Sequence, residues 1–282
     1  MRNYFLNGFL VALSTLFFSC GGGQQQATET EEESTETTEM QETTSSSSSE
    51  MMEKDGLKIY PAPPSPDFPD AELLMNTPAL NAGIDAGAVN FDYTVNNYEL
   101  GAQTSDAADK GCANSGKGQH IHLILNNEPY IAKYEPNFDV ELEEGHYVAL
   151  SFASRSYHES IKTDEAYVLS QFNVGGSTEE TDLSQPFLFY SRPKGTYSGE
   201  DAQKLLLDFY LINTSISESG NKVKATINGS TEFMLSTWQP YFIEGLPMGE
   251  NTIKLELVDA EDNAIGDGFN TIERTFSLNQ LN

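Results

Sequence analysis

"YEPNFDVELEEG" (134–145) and "WQPYFIEGLPMG" (238–249) are the two stretches whose comparison decides the fold. Tyr134 aligns with Trp238, Pro136 with Pro240, Leu142 with Leu246 and Gly145 with Gly249. The correspondence extends both ways. Upstream, "AELLMNTP" (71–78) matches "PFLFYSRP" (186–193), "FDYTVNN" (91–97) matches "LDFYLIN" (207–213), and "HIHLILNN" (120–127) matches "KVKATING" (222–229). Downstream, "HYVALSF" matches "NTIKLEL", and each half closes on a further β run, "AYVLSQFNV" or "RTFSLNQL". An internal repeat of this length means one folding unit built twice.

Each run is short, rich in β-branched and aromatic residues, and bounded by Gly, Pro, Asn or Asp. No long 3.6-residue pattern occurs. This predicts an all-β protein. Some seven strands in each repeat of about 110 residues fit an immunoglobulin-like β-sandwich, so the fold class is two tandem immunoglobulin-like β-sandwich domains. A single large barrel is the competing architecture, and the repeat weighs against it. The expected boundaries are residues 56–176 for the first domain and 177–282 for the second.

Residues 1–20, "MRNYFLNGFLVALSTLFFSC", pair Arg2 with an apolar run too short to span a bilayer, which reads as an export signal. The ending "LFFSC" resembles a bacterial lipobox and makes Cys20 the expected lipidation site. Gly21 after the cysteine, by resemblance to bacterial lipoproteins, favours the outer membrane. Cys112 is then the one remaining thiol, and no disulfide framework is possible. Residues 21–55 carry nine glutamates, with no basic residue before Lys54 and little to bury. They are expected to be a disordered acidic tether.

The net charge is −28, from 43 acidic and 15 basic residues. This excludes nucleic acid as a partner, because phosphate binding needs clustered Lys and Arg. The remaining partners are the membrane, through the lipid, and a metal, peptide or protein ligand.

The second repeat serves as a control for the first. All four histidines (120, 122, 146 and 158) lie in the first, and Lys222 and Lys224 stand where it has His120 and His122. Strand alternation sends Ile121, Leu123 and Leu125 to the core and His120 and His122 to the opposite face, expected to be the wet one. Asn97 and Asn126 are 29 positions apart, whereas Asn213 and Asn228 are 15 apart. The excess falls in "ELGAQTSDAADKGCANSGKGQ", which contains Cys112, Asn114 and Ser115. Long loops on rigid scaffolds are where binding chemistry gathers.

If 119–126 is strand C and 146–154 is strand F, the start of C lies beside the end of F. The loop 101–118 then shares one tip with "RSYHESIKTD" (155–164), which contains Arg155, Tyr157, His158 and Glu159. His146 falls at the other end. His120, His122 and His158 with a nearby thiolate suit copper or zinc. The same tip could hold a small or peptidic ligand through Arg155 and Lys162, or could be only a solvated polar face. No motif frames Cys112 as a nucleophile, so no enzymatic activity is expected. "DAEDNAIGDG" (259–268) lacks the order of a calcium loop and reads as a hairpin turn.

"GCANSGKGQHIHLILNNEPY" and "EGHYVALSFASRSYHESIK" resemble Bacteroidota cell-envelope lipoproteins that carry the name phosphopeptide-binding protein. The first domain is also similar to short immunoglobulin-like periplasmic domains with a His-rich strand and a later histidine. The resemblance implies a lipid-anchored envelope protein that binds a ligand. The other reading is a structural or adhesive surface lipoprotein without a specific small ligand.

Overall fold

The computed structural model describes residues 51–266 and 268–280. The expected signal peptide with Cys20, and the tether up to residue 50, lie outside the described residues. The strands follow in chain order. A hairpin, β1 (Met52–Lys54) and β2 (Leu57–Pro61), comes first. The first repeat contributes β3 (Glu72–Thr77), β4 (Ala82–Ile84), β5 (Gly87–Asn96), β6 (His120–Leu125), β7 (Ile131–Lys133), β8 (Asn137–Leu142), β9 (Gly145–Ser154) and β10 (Tyr167–Val174). The second contributes β11 (Phe187–Arg192), β12 (Gly195–Ser198), β13 (Lys204–Ile212), β14 (Lys222–Ile227), β15 (Thr231–Leu235), β16 (Tyr241–Glu244), β17 (Gly249–Val258) and β18 (Thr271–Asn279).

The two repeats fold alike, strand for strand. In the first, β3-β5-β8 faces β4-β10-β9-β6-β7. In the second, β11-β13-β16 faces β12-β18-β17-β14-β15. In each, a short strand runs parallel to the last strand, β4 with β10 and β12 with β18. All other pairings are antiparallel, as in immunoglobulin-like sandwiches. Both opening strands run up to a cis proline, Pro78 and Pro193.

Alternation fills the two cores as the sequence predicts. Ile121, Leu123 and Leu125 join Phe91, Tyr93 and Phe172 inside the first sandwich. Val223, Ala225 and Ile227 join Phe209, Leu255 and Phe276 inside the second.

The N-terminal boundary differs from the sequence expectation. Residues 57–61 do not open the first sandwich: β2 pairs with β16 and extends a sheet of the second. Leu57 and Ile59 point into the second core, where Ile59 is fully buried. The hairpin also covers β16, which would otherwise be an unpaired edge. The chain therefore starts on the second sandwich, crosses through a proline-rich segment (61–69) to build the first, and returns.

A second difference matters more for function. The outward face of β6 and β9 is not wet. Ile124, Val148, Leu150 and Phe152 pack against Phe187, Phe189, Tyr210 and Ile212 from the outward face of β11 and β13. The two sandwiches thus share a third apolar layer. Each fully buried Phe or Leu there contributes about 1.5–3 kcal/mol. Polar groups stitch its edges: Asn127 donates to the Leu188 carbonyl and accepts from the Tyr190 amide, and Arg274 donates to the carbonyls of Asn127 and Ser191.

Because β2 belongs to the second core, Ile59→Ala should cost about 2–5 kcal/mol, the usual range for a buried Ile truncated to Ala. Urea unfolding of the variant checks this. The loss should appear in the transition that exposes Trp238, the chain's one tryptophan, which packs at the second core.

Candidate metal centre

His120 enters β6 directly after Gly118, whose φ of +86° lets the chain pass close to the carbonyls of Gly101 and Ala102. A Cβ at this position would collide with both carbonyls. The Gln119 amide donates to the Ala102 carbonyl at 2.7 Å, and the Gly101 amide donates to the Gln119 carbonyl at 2.8 Å. This clamp fixes where β6 begins. In register with β9, His120 lies opposite Ser154 and His122 opposite Phe152.

His158 comes from the β9–β10 loop. Its φ is +68°, and its amide closes a tight turn on the Arg155 carbonyl at 2.9 Å. The bridge between Ser154 and Ser160 pins the base of that turn. Asp208 of the second sandwich holds the turn's far side, accepting from the Ser160 amide (3.2 Å), the Ser160 hydroxyl (3.1 Å) and Lys162 Nζ (2.6 Å).

These elements bring the three imidazoles together. His120 Nε2 lies 2.9 Å from His122 Nε2 and 3.0 Å from His158 Nδ1. One ring nitrogen from each residue falls within 4.8 Å of the others. His120 and His122 are fully buried, and His158 is partly exposed. Thus the expectation that His120 and His122 face solvent is wrong: they do point away from their own core, but Tyr134 covers His120, and Tyr130 with Ser191 of the second sandwich covers His122. His146 lies elsewhere, between Asn173 and Thr181.

Protonation follows from the partners. His120 Nδ1 lies 2.8 Å from the Gly118 carbonyl, which can only accept, so Nδ1 carries the hydrogen. Burial, with help from Arg192 and Lys194, pulls the His120 pKa down to about 4. Burial also depresses His122 and His158 far below the ordinary histidine value, with Arg192 and Lys194 adding to the effect in both. At neutral pH His120 is therefore a neutral ring whose bare Nε2 faces two other ring nitrogens. Tyr130 stacks on His122 with ring centroids 3.6 Å apart, and its hydroxyl lies 3.2 Å from His158 Nδ1. Arg192 Nη1 donates to that hydroxyl at 3.0 Å, which leaves the hydroxyl hydrogen free to point at His158. Ser191 Oγ reaches His122 Nδ1 at 3.3 Å, and the Tyr134 ring flanks His120.

The other residues singled out in the sequence hold the scaffold together. Cys112 packs with Tyr157, Leu206 and Phe242, outside the group of three histidines, and burial raises its pKa to about 11. Arg155 donates to the Pro66 and Ser160 carbonyls and pairs with Glu159 at 3.2 Å. Glu159 also pairs with Lys110 at 3.5 Å, and the Tyr157 hydroxyl donates to Asp106. Asn114 is exposed and donates to Gln103. Only Ser115 approaches the histidines, through a 2.7 Å hydrogen bond with Tyr134. Tyr130, Tyr134, Ser191, Arg192 and Lys194 border the centre without having been singled out. Tyr130 and Tyr134 do flank "HIHLILNN" in sequence, but the other three arrive from the second sandwich.

No protein-family model and no curated protein matches the chain. Among solved structures, it is similar to the fibronectin(III)-like modules of Clostridium thermocellum CbhA (12% identity, 74% of this chain and 94% of that one, TM-score 0.27). It is also similar to Bacteroides ovatus SGBP-B of a mixed-linkage glucan utilization locus (12%, 78% and 47%, TM-score 0.21). The two tandem V-type regions of VCBP3, a v-region-containing chitin binding protein, are a third (10%, 74% and 99%, TM-score 0.21). At these values nothing about ligand or activity passes to this chain.

The buried histidines make the metal-free protein acid-sensitive. Their folded pKa values lie below the unfolded value of about 6.5, so the unfolded chain binds more protons between that pH and about 4. Stability should be full above about pH 7 and fall through this window by an order of a few kcal/mol. Urea titrations near pH 7 and near pH 5 measure the loss. His158→Gln should flatten the slope, and an unchanged slope would refute the assignment.

Proposed function

We propose that this protein is a cell-envelope metal-binding module in which His120, His122 and His158 hold one zinc or copper ion. The observation that carries this reading is the meeting of three neutral ring nitrogens at hydrogen-bonding separation with too few hydrogens between them. An sp² nitrogen has a single lone pair, so His120 Nε2 cannot take straight hydrogen bonds from both neighbours. If the Tyr130 hydroxyl donates to His158 Nδ1, bare nitrogen faces bare nitrogen at 3.0 Å. A cation where the three lone pairs converge removes that conflict.

The spacing supports the same reading. Metal–nitrogen bonds of about 2.0–2.1 Å in a tetrahedral site separate ligand nitrogens by about 3.3 Å. The observed 2.9 and 3.0 Å lie close to this value, and the third separation, within 4.8 Å, would close as the rings turn toward a shared ion. Borderline ions such as zinc and copper favour neutral imidazoles. The Gly118 carbonyl behind His120 Nδ1 is the outer partner that orients a ligating histidine. Three protein ligands leave a further position open, on the side where His158 reaches solvent. Among the described residues no helix is long and apolar enough to cross a membrane. Attachment would rest on the lipidated Cys20 and the acidic segment after it.

Zinc and copper titrations of the metal-stripped protein should show one ion per chain by calorimetry. His120→Lys and His122→Lys, which install the residues of the second repeat, should each abolish uptake, while His146→Gln leaves it intact. No uptake by the wild type would refute the proposal.

A further inference from the structure

In a chain with 43 acidic residues and 15 basic ones, a basic group without a carboxylate needs a physical cause. Three of the cations around the site have carboxylate partners, and buried Arg274 donates instead to the carbonyls of Asn127 and Ser191. Lys110 and Arg155 pair with Glu159, and Lys162 pairs with Asp208. In the second repeat, Lys224 pairs with Asp262 at 3.0 Å.

Arg192 and Lys194, on either side of Pro193, also lack a carboxylate partner, and they stand beside the histidines. Among the described residues neither has a carboxylate within 4.0 Å. Arg192 is 6% exposed; Nη1 donates to Tyr130 Oη, and Nε is buried without a hydrogen-bond partner. Lys194 Nζ donates to the Tyr130 carbonyl at 2.6 Å and lies 3.8 Å from the centroid of the Tyr130 ring. An ammonium has three donors, so two remain after that bond. Lys194 is half-exposed, with its pKa lowered to about 8 by burial and by the nearby Arg192 and Arg274, and so is charged at neutral pH. Both cations border the histidines through Tyr130, which stacks on His122 and touches His158.

This inference rests on the metal reading above. A divalent ion on three neutral imidazoles would add its charge beside two unpaired cations in a mostly dehydrated site. Repulsion there is only weakly screened. Among the described residues no carboxylate lies within 4.0 Å of either cation, whereas Asp262 neutralises Lys224 at the equivalent place in the second repeat. The half-exposed residues His158, Lys194, Ser115 and Tyr134 mark the side from which a ligand could enter.

We propose that the open position of the His120–His122–His158 centre takes a small carboxylate-like anion, held by Lys194 and Arg192. The anion binds the metal with one oxygen and accepts hydrogen bonds from the ammonium or guanidinium with the other. Charge-assisted contacts of this kind are what lysine and arginine supply to carboxylates. The site thus selects ligands by negative charge, with the metal and the two cations acting on one group.

The test uses the full chain loaded with cobalt(II), whose visible spectrum reports changes in its coordination. Acetate and azide should each shift the spectrum saturably, and neutral acetamide should not. Lys194→Gln, at a half-exposed position, should weaken acetate and azide about tenfold or more, as loss of one charged hydrogen bond predicts. Metal affinity in that variant should hold or rise. Metal uptake with no anion response, or with the same anion affinity in Lys194→Gln, would overturn this inference and leave the metal reading standing. A wild-type chain that takes up no metal would overturn both.

Discussion

The contact on which the site depends is the burial of the outward face of β6 and β9 beneath β11 and β13. Ile124, Leu150 and Phe152 meet Phe189 and Tyr210 in a layer that belongs to neither sandwich's own core. The same closure removes water from His120 and His122, and dehydration is what holds their rings neutral. An exposed histidine pair on the same strand would be half-protonated near pH 6.5 and would repel a cation for part of its titration. Packing of the two repeats and the chemistry of the imidazoles are therefore one event.

The β9–β10 loop shows how such a site is kept rigid. Asp208 is buried in the middle of an apolar strand, a place where a carboxylate is costly unless fully paired. It is paired, and every partner comes from Ser160 or Lys162, at the foot of the turn that carries His158. On the near side Arg155 grips the Pro66 carbonyl, which fastens the turn to the crossing segment between the sandwiches. The long loop from 99 to 119 acts as a strut, with Lys110 bonded to Pro63 and Ser65 and Cys112 seated against Phe242. Charged residues that look like ligand contacts in the sequence are consumed by this bracing. Their charges are balanced within the chain, which leaves them nothing to offer a ligand.

The repeat, the all-β sandwich class and the meeting of the three histidines are legible in the sequence, because strand alternation and immunoglobulin topology determine them. The eighth strand of each repeat, short β4 or β12, is not among the seven expected. The burial of that meeting place is not legible, although a trace of it exists. "HYVALSFAS" is apolar on both faces, whereas its counterpart "NTIKLELV" alternates, and a strand without alternation is covered on both sides. "KLLLDFYLI" carries the same mark around Asp208. Reading those two runs together would have placed the sandwiches face to face. The assignment of β2 to the second sandwich has no such trace, because "LKIYP" alternates equally well for either sheet edge. The second-sandwich neighbours Ser191, Arg192 and Lys194 are invisible for a similar reason: sequence spacing says nothing about which face docks on which.

The two repeats together show how few residues separate a self-neutralised tip from one that gathers three imidazoles. Asp262 has a φ of +67° and occupies the turn position of His158, whose φ is +68°. The bridge of Val258 with Ala264 repeats that of Ser154 with Ser160. On the adjoining strand Lys222 and Lys224 stand in place of His120 and His122, and Lys224 reaches Asp262 at 3.0 Å. The second repeat therefore closes its tip with a solvent-facing ion pair, a contact that contributes little to stability and needs no ligand. In the first repeat the same backbone carries three imidazoles, and the neighbouring sandwich brings cations in place of a carboxylate. In place of a self-neutralised tip stands one whose nitrogen lone pairs crowd together and whose cations have, among the described residues, no carboxylate within 4.0 Å. The fold tolerates this because the apolar layer beside it, and not the tip, holds the two sandwiches together.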